Sequence, residues 1–301
     1  MDRENGPFQP VLPCAEPMAG PEFLCKKQND KDERDDDMPD LQITHDVALA
    51  DQIREMISCD RFRLVVQPVI DLQTGCIVGG EVLSRLEHPD LGLLFPDKFL
   101  PAVELAGLCP EFDLHIFQKS CALMGGLMEQ GTQIQYLSCN FSRLTLSEPG
   151  AADQLCAIAD AVGIPHDRVA VEITEREQDT DNDQFCENLI DLKKAGFRIL
   201  VDDLGAGVTS VRDLWCYPVD VVKIDRSLLL AADNDQGRSD FRRLRDLAVD
   251  LGCMVLCEGV ETEDQHRFVL DAGCQYCQGY LFYRPMECEQ FFSLAAEKVA
   301  M

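Results

Sequence analysis

FRLVVQPVIDLQTGCIVGGEVL, residues 62–83, is two apolar runs with a short polar break between them. The runs are Phe62 to Ile70 and Cys76 to Leu83, and Asp71-Leu72-Gln73-Thr74-Gly75 divides them. A parallel pair needs a crossover of a dozen or more residues, so five residues predict an antiparallel hairpin. Working outward, a helix precedes the hairpin from Val47 to about Ser58 by its apolar period. A helical region follows from Asp97 to Met128, and Pro110 divides it.

Beyond that point strand and helix alternate. The predicted strands are Gln133–Phe141, Val169–Thr174, Arg198–Asp202, Val219–Ile224, Met254–Glu258 and Tyr276–Phe282, eight with the hairpin. The intervening helices have readable ends: Ala151 to Val162 stops at Gly163, and the Phe185-Leu189-Leu192 face stops at Gly196. Thr262 and Gln265 form a capping box for another helix. The pattern points to an α/β barrel, with a doubly wound open sheet as the alternative, because local periodicity does not report closure.

Residues 1–45 mix Pro, Gly, Asn and charge without an amphipathic period, and are read as a disordered acidic tail; residues 46–301 form the barrel. A run of about 18 apolar residues is absent, as is a basic start followed by an apolar core, so the expectation is a cytoplasmic protein with no membrane partner. The net charge of −27, from 27 basic and 54 acidic residues, argues against binding a nucleic-acid polymer. An anionic substrate then needs metal ions and a few well-placed Lys or Arg side chains.

Fifteen cysteines are scattered along the chain. Cys253-x3-Cys257 with Cys274-x2-Cys277 has the spacing of a zinc site, but two neighbouring buried strands account for it better. Alternation would turn Cys257 and Cys277 away from a barrel interior holding Glu258 and Gln278.

In barrels of this class chemistry sits where strands end. Nearly every predicted strand ends on a polar group: Glu81, Asn140, Glu172 and Glu175, Asp202-Asp203, Lys223 and Asp225, Glu258 and Glu261, and Gln278. Any one of them could be a solvated residue or a helix cap. Together, several carboxylates inside apolar runs would repel each other and lose hydration unless cations compensate. Oxygen-rich sets of this kind suit Mg²⁺ or Mn²⁺, two of which can clamp a phosphoryl group while the Lys223 ammonium supports developing charge. An ion pair between Lys223 and a neighbouring acid is the plainer reading, and the two are compatible. Gly205-Ala206-Gly207 lacks the third glycine of a dinucleotide fingerprint and is read as a strand-to-helix loop.

The motifs EVLSR, CNFS, VEITE, VDDLGAG, VKIDR, CEGVET and QGYLFYRP, in this order, resemble the EAL-domain family of cyclic di-GMP phosphodiesterases over residues 47–298. The resemblance implies a modified TIM-type (β/α)8 barrel with an antiparallel first strand, in agreement with the hairpin. It implies metal-dependent opening of cyclic di-GMP to linear pGpG, with two ions of Mg²⁺ or Mn²⁺. Glu81, Asn140, Glu172 and Asp202 match the ligands of one metal; Asp202, Asp203 and, through water, Glu258 match those of the second. Lys223 matches the lysine that orients or deprotonates the attacking water, and Gln278 a glutamine beside it. Arg85, Gln67 and Asp225 fall on the substrate side, and Glu175 and Glu261 resemble acids that brace loops. The family also suggests a possible homodimer, and the sequence leaves any protein regulator unidentified. Val82, Leu86 and Gln275 depart from the usual residues beside the site, and Leu204 and Val208 stand where aromatics are usual. A non-catalytic cyclic di-GMP receptor is the alternative from another functional class.

Overall fold

A computed structural model describes residues 47–174, 183–204 and 211–297 of the chain. β1 (Phe62–Asp71) and β2 (Ile77–His88) pair antiparallel from Phe62↔Leu86 to Ile70↔Ile77, with a bulge after Val69. The turn between them is closed by Asp71, whose Oδ1 accepts from the backbone N–H of Gln73 at 2.9 Å and Thr74 at 2.8 Å. Gly75 then takes φ +69°, the left-handed conformation that glycine adopts without steric cost.

β3 (Gly92–Leu94) folds back on β2, and β4 (Tyr136–Ser142), β5 (Val169–Thr174), β6 (Arg198–Leu204), β7 (Val221–Ile224), β8 (Met254–Cys257) and β9 (Tyr276–Cys277) follow. From β2 through β4 to β9 every neighbouring pair is parallel. β1 closes the ring, antiparallel to β2 on one side and to β9 on the other. Eight strands therefore form a closed barrel, which rules out the open sheet.

One residue from each of the eight strands fills the barrel's lower interior: Val69, Val78, Tyr136, Ala170, Leu200, Val221, Leu256 and Tyr276. All are buried, and they make an apolar floor. A second, larger apolar layer lies between the strands and the helices, where Phe117 packs on Phe141 and Phe197, and Phe62 on Phe99 and Phe112. The helices of that layer end as their sequences predict. Ala151–Val162 is bounded by left-handed Gly150 and Gly163, and Glu263–Ala272 begins on the Thr262/Gln265 capping box. The helical region before β4 breaks at residues 106–108, and Pro110 sits in the first turn of the second helix, where its missing N–H is harmless.

The end of the chain differs from expectation. The last barrel strand is Tyr276–Cys277 and does not run to Phe282, because the chain turns at Gly279 against the backbone of Val260. Val260 N donates to Gln278 O, and Leu281 N to Val260 O. A two-residue strand, β10 (Met286–Glu287), then pairs antiparallel with β1; it is too short to show an alternation in sequence.

Among the described residues every cysteine is a free thiol. Cys257 and Cys277 face each other in register across β8 and β9, on the opposite strand face from floor residues Leu256 and Tyr276. The four spaced cysteines do not converge on a cation position, and the zinc reading is set aside. Among the described residues no helix is long and apolar enough to cross a membrane. The tail at 1–45, Glu175, and the loop from Gly205 to Ser210 lie outside the described residues.

Candidate active site

The site is built by strand alternation. Two residues past the floor, the same inward face turns polar: Glu172 after Ala170, Asp202 after Leu200, Lys223 after Val221, Glu258 after Leu256 and Gln278 after Tyr276. On β4 the sequence from Tyr136 reaches Ser138 and then Asn140. On β2, Glu81 lies beside Ser138, and on antiparallel β1 its partner is Gln67. Polar groups thus gather at the C-terminal mouth, above an apolar plug.

Lys223 is the centre of this layer. Its Nζ lies 2.5 Å from Glu172 Oε1, 2.6 Å from Glu258 Oε1, 3.2 Å from Glu81 Oε2 and 3.3 Å from Asp202 Oδ1. The lysine side chain is 1% exposed and that of Glu172 is 0% exposed, so water cannot screen these charges. Glu81 is held on its other side by Asn140 Nδ2, which donates to Oε1 at 3.1 Å, and by Gln278 Nε2, which donates to Oε2 at 2.8 Å. Gln278 also donates to Gln67 Oε1 at 2.9 Å, and Gln67 Nε2 to the Tyr283 carbonyl at 3.3 Å.

Among the described residues one ammonium meets four acids here, and the proton affinities show the excess negative charge. Burial pushes Glu172 up to about 8 even with Lys223 beside it. Burial likewise raises Asp202, and raises Glu258 well above the usual carboxylate range. Burial and the neighbouring Asp202 push Asp203 up to about 6. Glu81 goes the other way: burial favours its neutral form, but Lys223 and the amide donors of Gln278 and Asn140 outweigh burial and hold it below its ordinary value. Burial works against the Lys223 ammonium, yet Asp202, Glu172, Glu258 and Glu81 raise it well above an ordinary lysine.

Asp203 has an unusual backbone. Its φ of +56° lies in the left-handed region, which Asp tolerates better than most residues. Successive residues of a regular strand point to opposite faces. The kink at Asp203, where the β6–β7 register shifts between Val201 and Leu204, turns two consecutive carboxylates to the same side. Asp202 Oδ1 accepts from Asp203 N at 2.9 Å, and ligand oxygens of Asp202, Asp203 and Glu258 lie within 4.8 Å of one another. Among the described residues this is the one set of acidic, His or Cys groups placed to share a cation. Glu172 Oε2 is buried without a hydrogen-bond partner, an orphan oxygen of the kind a metal ligand leaves. These donors, all oxygen, fit a hard divalent cation.

The outlying residues fall around the mouth. Arg85 lies 4.5 Å over the Phe95 ring and donates to its neighbour Ser84 O at 2.8 Å. Asp225 caps the next short helix, with Oδ1 accepting from Ser227 N at 2.9 Å. Glu261 pairs with Arg226 at 2.9 Å. Leu204 is buried at the end of β6. Reading strand ends did not single out Phe95, Tyr283 or Arg226, which contribute a ring face, a carbonyl and a loop contact rather than an acid inside an apolar run.

The family model for the EAL domain matches residues 50–285. The chain belongs to the EAL domain family. An uncharacterized protein of Mycobacterium tuberculosis is 33% identical over 250 residues, covering 82% of this chain and 40% of that protein. The cyclic di-GMP phosphodiesterase RocR of Pseudomonas aeruginosa is 31% identical over 261 residues, covering 86% of this chain and 66% of RocR. This EAL domain thus spans less than half the length of the mycobacterial relative. Among solved structures, the PaMucR phosphodiesterase in complex with c-di-GMP superposes with a TM-score of 0.74 at 29% identity, covering 81% of this chain and 100% of that one.

Proposed function

We propose that the protein is a metal-dependent phosphodiesterase that hydrolyses cyclic di-GMP to linear 5′-pGpG. The observation that carries this reading is the buried Lys223 among four carboxylates, with Asp202, Asp203 and Glu258 converging beside it. Relatives described as cyclic di-GMP phosphodiesterases support the substrate.

Glu81, Asn140, Glu172 and Asp202 would hold one ion of Mg²⁺ or Mn²⁺, and Asp202, Asp203 and Glu258 a second. Bound there, the ions neutralise phosphate charge and lower the pKa of a water. The chain's own residues do the rest. Lys223, which these acids hold as an ammonium in the metal-free site, is placed to orient the attacking water and to support charge on the phosphoryl oxygens. Gln278 fixes the Glu81 carboxylate and ties it to Gln67 at the substrate face. Arg85, backed by Phe95, meets the phosphate, and Asp225 borders the same mouth. Glu261 braces a loop through Arg226. The water oxygen bonds to one phosphorus and releases a proton, the bond from phosphorus to the 3′ oxygen breaks, and that oxygen takes up a proton, so one water is consumed with no net change in protons beyond ionisation of the new phosphate.

Incubating the purified protein with cyclic di-GMP and Mg²⁺ or Mn²⁺, and identifying the product by mass, tests the reading. The expected product is pGpG. Tight binding of cyclic di-GMP with no pGpG under either metal would establish a receptor instead.

A further inference from the structure

Lys223 and Glu258 meet at the site, and three residues further along the same two strand ends a second pair meets outside it. Arg226 Nη2 lies 2.9 Å from Glu261 Oε1. Between the two pairs, Glu258 N donates to Ile224 O at 3.0 Å. The segments Lys223–Arg226 and Glu258–Glu261 are therefore linked at both ends and in the middle. Val260 N continues the chain of contacts to Gln278 O at 3.1 Å.

The ion pair is partly exposed, 39% at Arg226 and 34% at Glu261, and such pairs contribute little by charge alone. A steric observation is stronger. Gly259 has φ +66°, and a Cβ built on it would lie 2.4 Å from Arg226 Cγ, 2.6 Å from Cβ and 2.8 Å from Cδ. The arginine stem lies directly on the peptide following Glu258. Gly259 is bare for two reasons: its left-handed backbone, and the need to admit that stem. Arg226 is in turn placed by Asp225, whose carboxylate caps the helix that Arg226 begins.

We propose that Arg226 is a positioning residue for the Asp202, Asp203 and Glu258 cation site: its stem presses the backbone after Glu258 while its guanidinium anchors Glu261, which keeps the Glu258 carboxylate aimed at Asp202 and Asp203. This rests on the metal-dependent reading of the site. Without Arg226 the loop would keep the backbone links of Glu258 and Val260 but lose the stem against Gly259 and the tie to Glu261, and the Glu258 carboxylate could move away from Asp202 and Asp203. Groups that orient a ligand from behind typically change metal affinity by about 10–100-fold when removed.

Three variants separate stem from charge: Arg226→Ala removes both, Arg226→Lys keeps a stem and a charge, and Glu261→Gln removes the anchor. Mn²⁺ affinity is read by calorimetry, alongside thermal unfolding and the Mn²⁺ and cyclic di-GMP dependence of turnover. The expected result for Arg226→Ala is an unfolding temperature near wild type, Mn²⁺ affinity at least tenfold weaker, and a matching rise in half-saturating Mn²⁺ with KM for cyclic di-GMP unchanged. Arg226→Lys should recover most of the affinity and Glu261→Gln should fall between. Arg226→Ala that binds Mn²⁺ within twofold of wild type overturns the proposal. So does a loss of affinity matched by lost folding in Arg226→Ala with none in Glu261→Gln. Wild-type protein that binds Mn²⁺ but makes no pGpG would defeat the phosphodiesterase reading alone, because the affinity comparison still decides Arg226. Wild type that binds no Mn²⁺ defeats both.

Discussion

Lys223 cannot be exchanged for a neutral side chain without consequence, because its ammonium touches Glu81, Glu172, Asp202 and Glu258 together. Lys223→Met should lower turnover by about 10²–10³-fold, the usual cost of removing a group that stabilises transition-state charge. Full retention of rate, measured at saturating metal, would remove Lys223 from the mechanism. Glu172→Gln is expected to lose turnover on a similar scale for a different reason: the orphan Oε2 becomes an amide, and calorimetry should show weaker Mn²⁺ binding. Single residues were legible in the sequence to the extent that they interrupt apolar runs, as Glu172 and Lys223 do. Asp203 was legible as an acid, but its inward aim was not, since it depends on a left-handed backbone that strand alternation does not anticipate.

Elements explain why the residues stand where they do. The period of two that places apolar side chains in the floor delivers Glu172, Asp202, Lys223, Glu258 and Gln278 one step higher, so the strand-end residues meet wherever the strands are regular. The extent of the last strand differs from expectation, because Gly279 turns the chain. A Cβ there would lie 2.2 Å from Val260 O and 2.3 Å from Val260 N, and neither backbone atom can move freely. Gly279→Ala should therefore destabilise the protein by about 1–3 kcal/mol, as overpacking does, and displace the Glu258–Glu261 loop. Urea unfolding checks it; a midpoint equal to wild type would mean that the turn has room to adjust.

At the scale of the whole molecule, uncompensated negative charge makes stability depend on metal and on pH. A cation that binds only the folded state stabilises it by about 2.7 kcal/mol at a hundred times its Kd, which for a domain of this size is a rise in Tm of roughly 5–10 °C. Scanning calorimetry with and without Mn²⁺ measures this, and an unchanged Tm at saturating Mn²⁺ would contradict the cation site. Without metal, Glu172 and Asp203 have folded pKa values of about 8 and about 6, both above their ordinary values, and Asp202 and Glu258 shift the same way. Groups raised in this way keep their protons longer folded than unfolded, so their stabilisation is complete at low pH and is lost as pH rises through the folded values. Glu81 is lowered and opposes them, but it is one group against four. The Tm of metal-free protein should accordingly fall between about pH 4.5 and 8, and saturating Mn²⁺ should flatten the profile over that window.

What the amino-acid sequence determined by itself is local: the hairpin, from a break too short for a crossover; the alternation of strands and helices; and the acids at strand ends. Each is a property of a few neighbouring residues and their period. Only the tertiary structure decided closure, because β1 meets β9 and β10 across most of the chain's length and such pairings depend on how the layers pack. It also decided which acids share one lysine, that Gln67 reaches Gln278, and that Arg226 lies on Gly259. Those contacts join residues from different strands, and their geometry exists only once the barrel's twist and register bring the strand ends to one mouth.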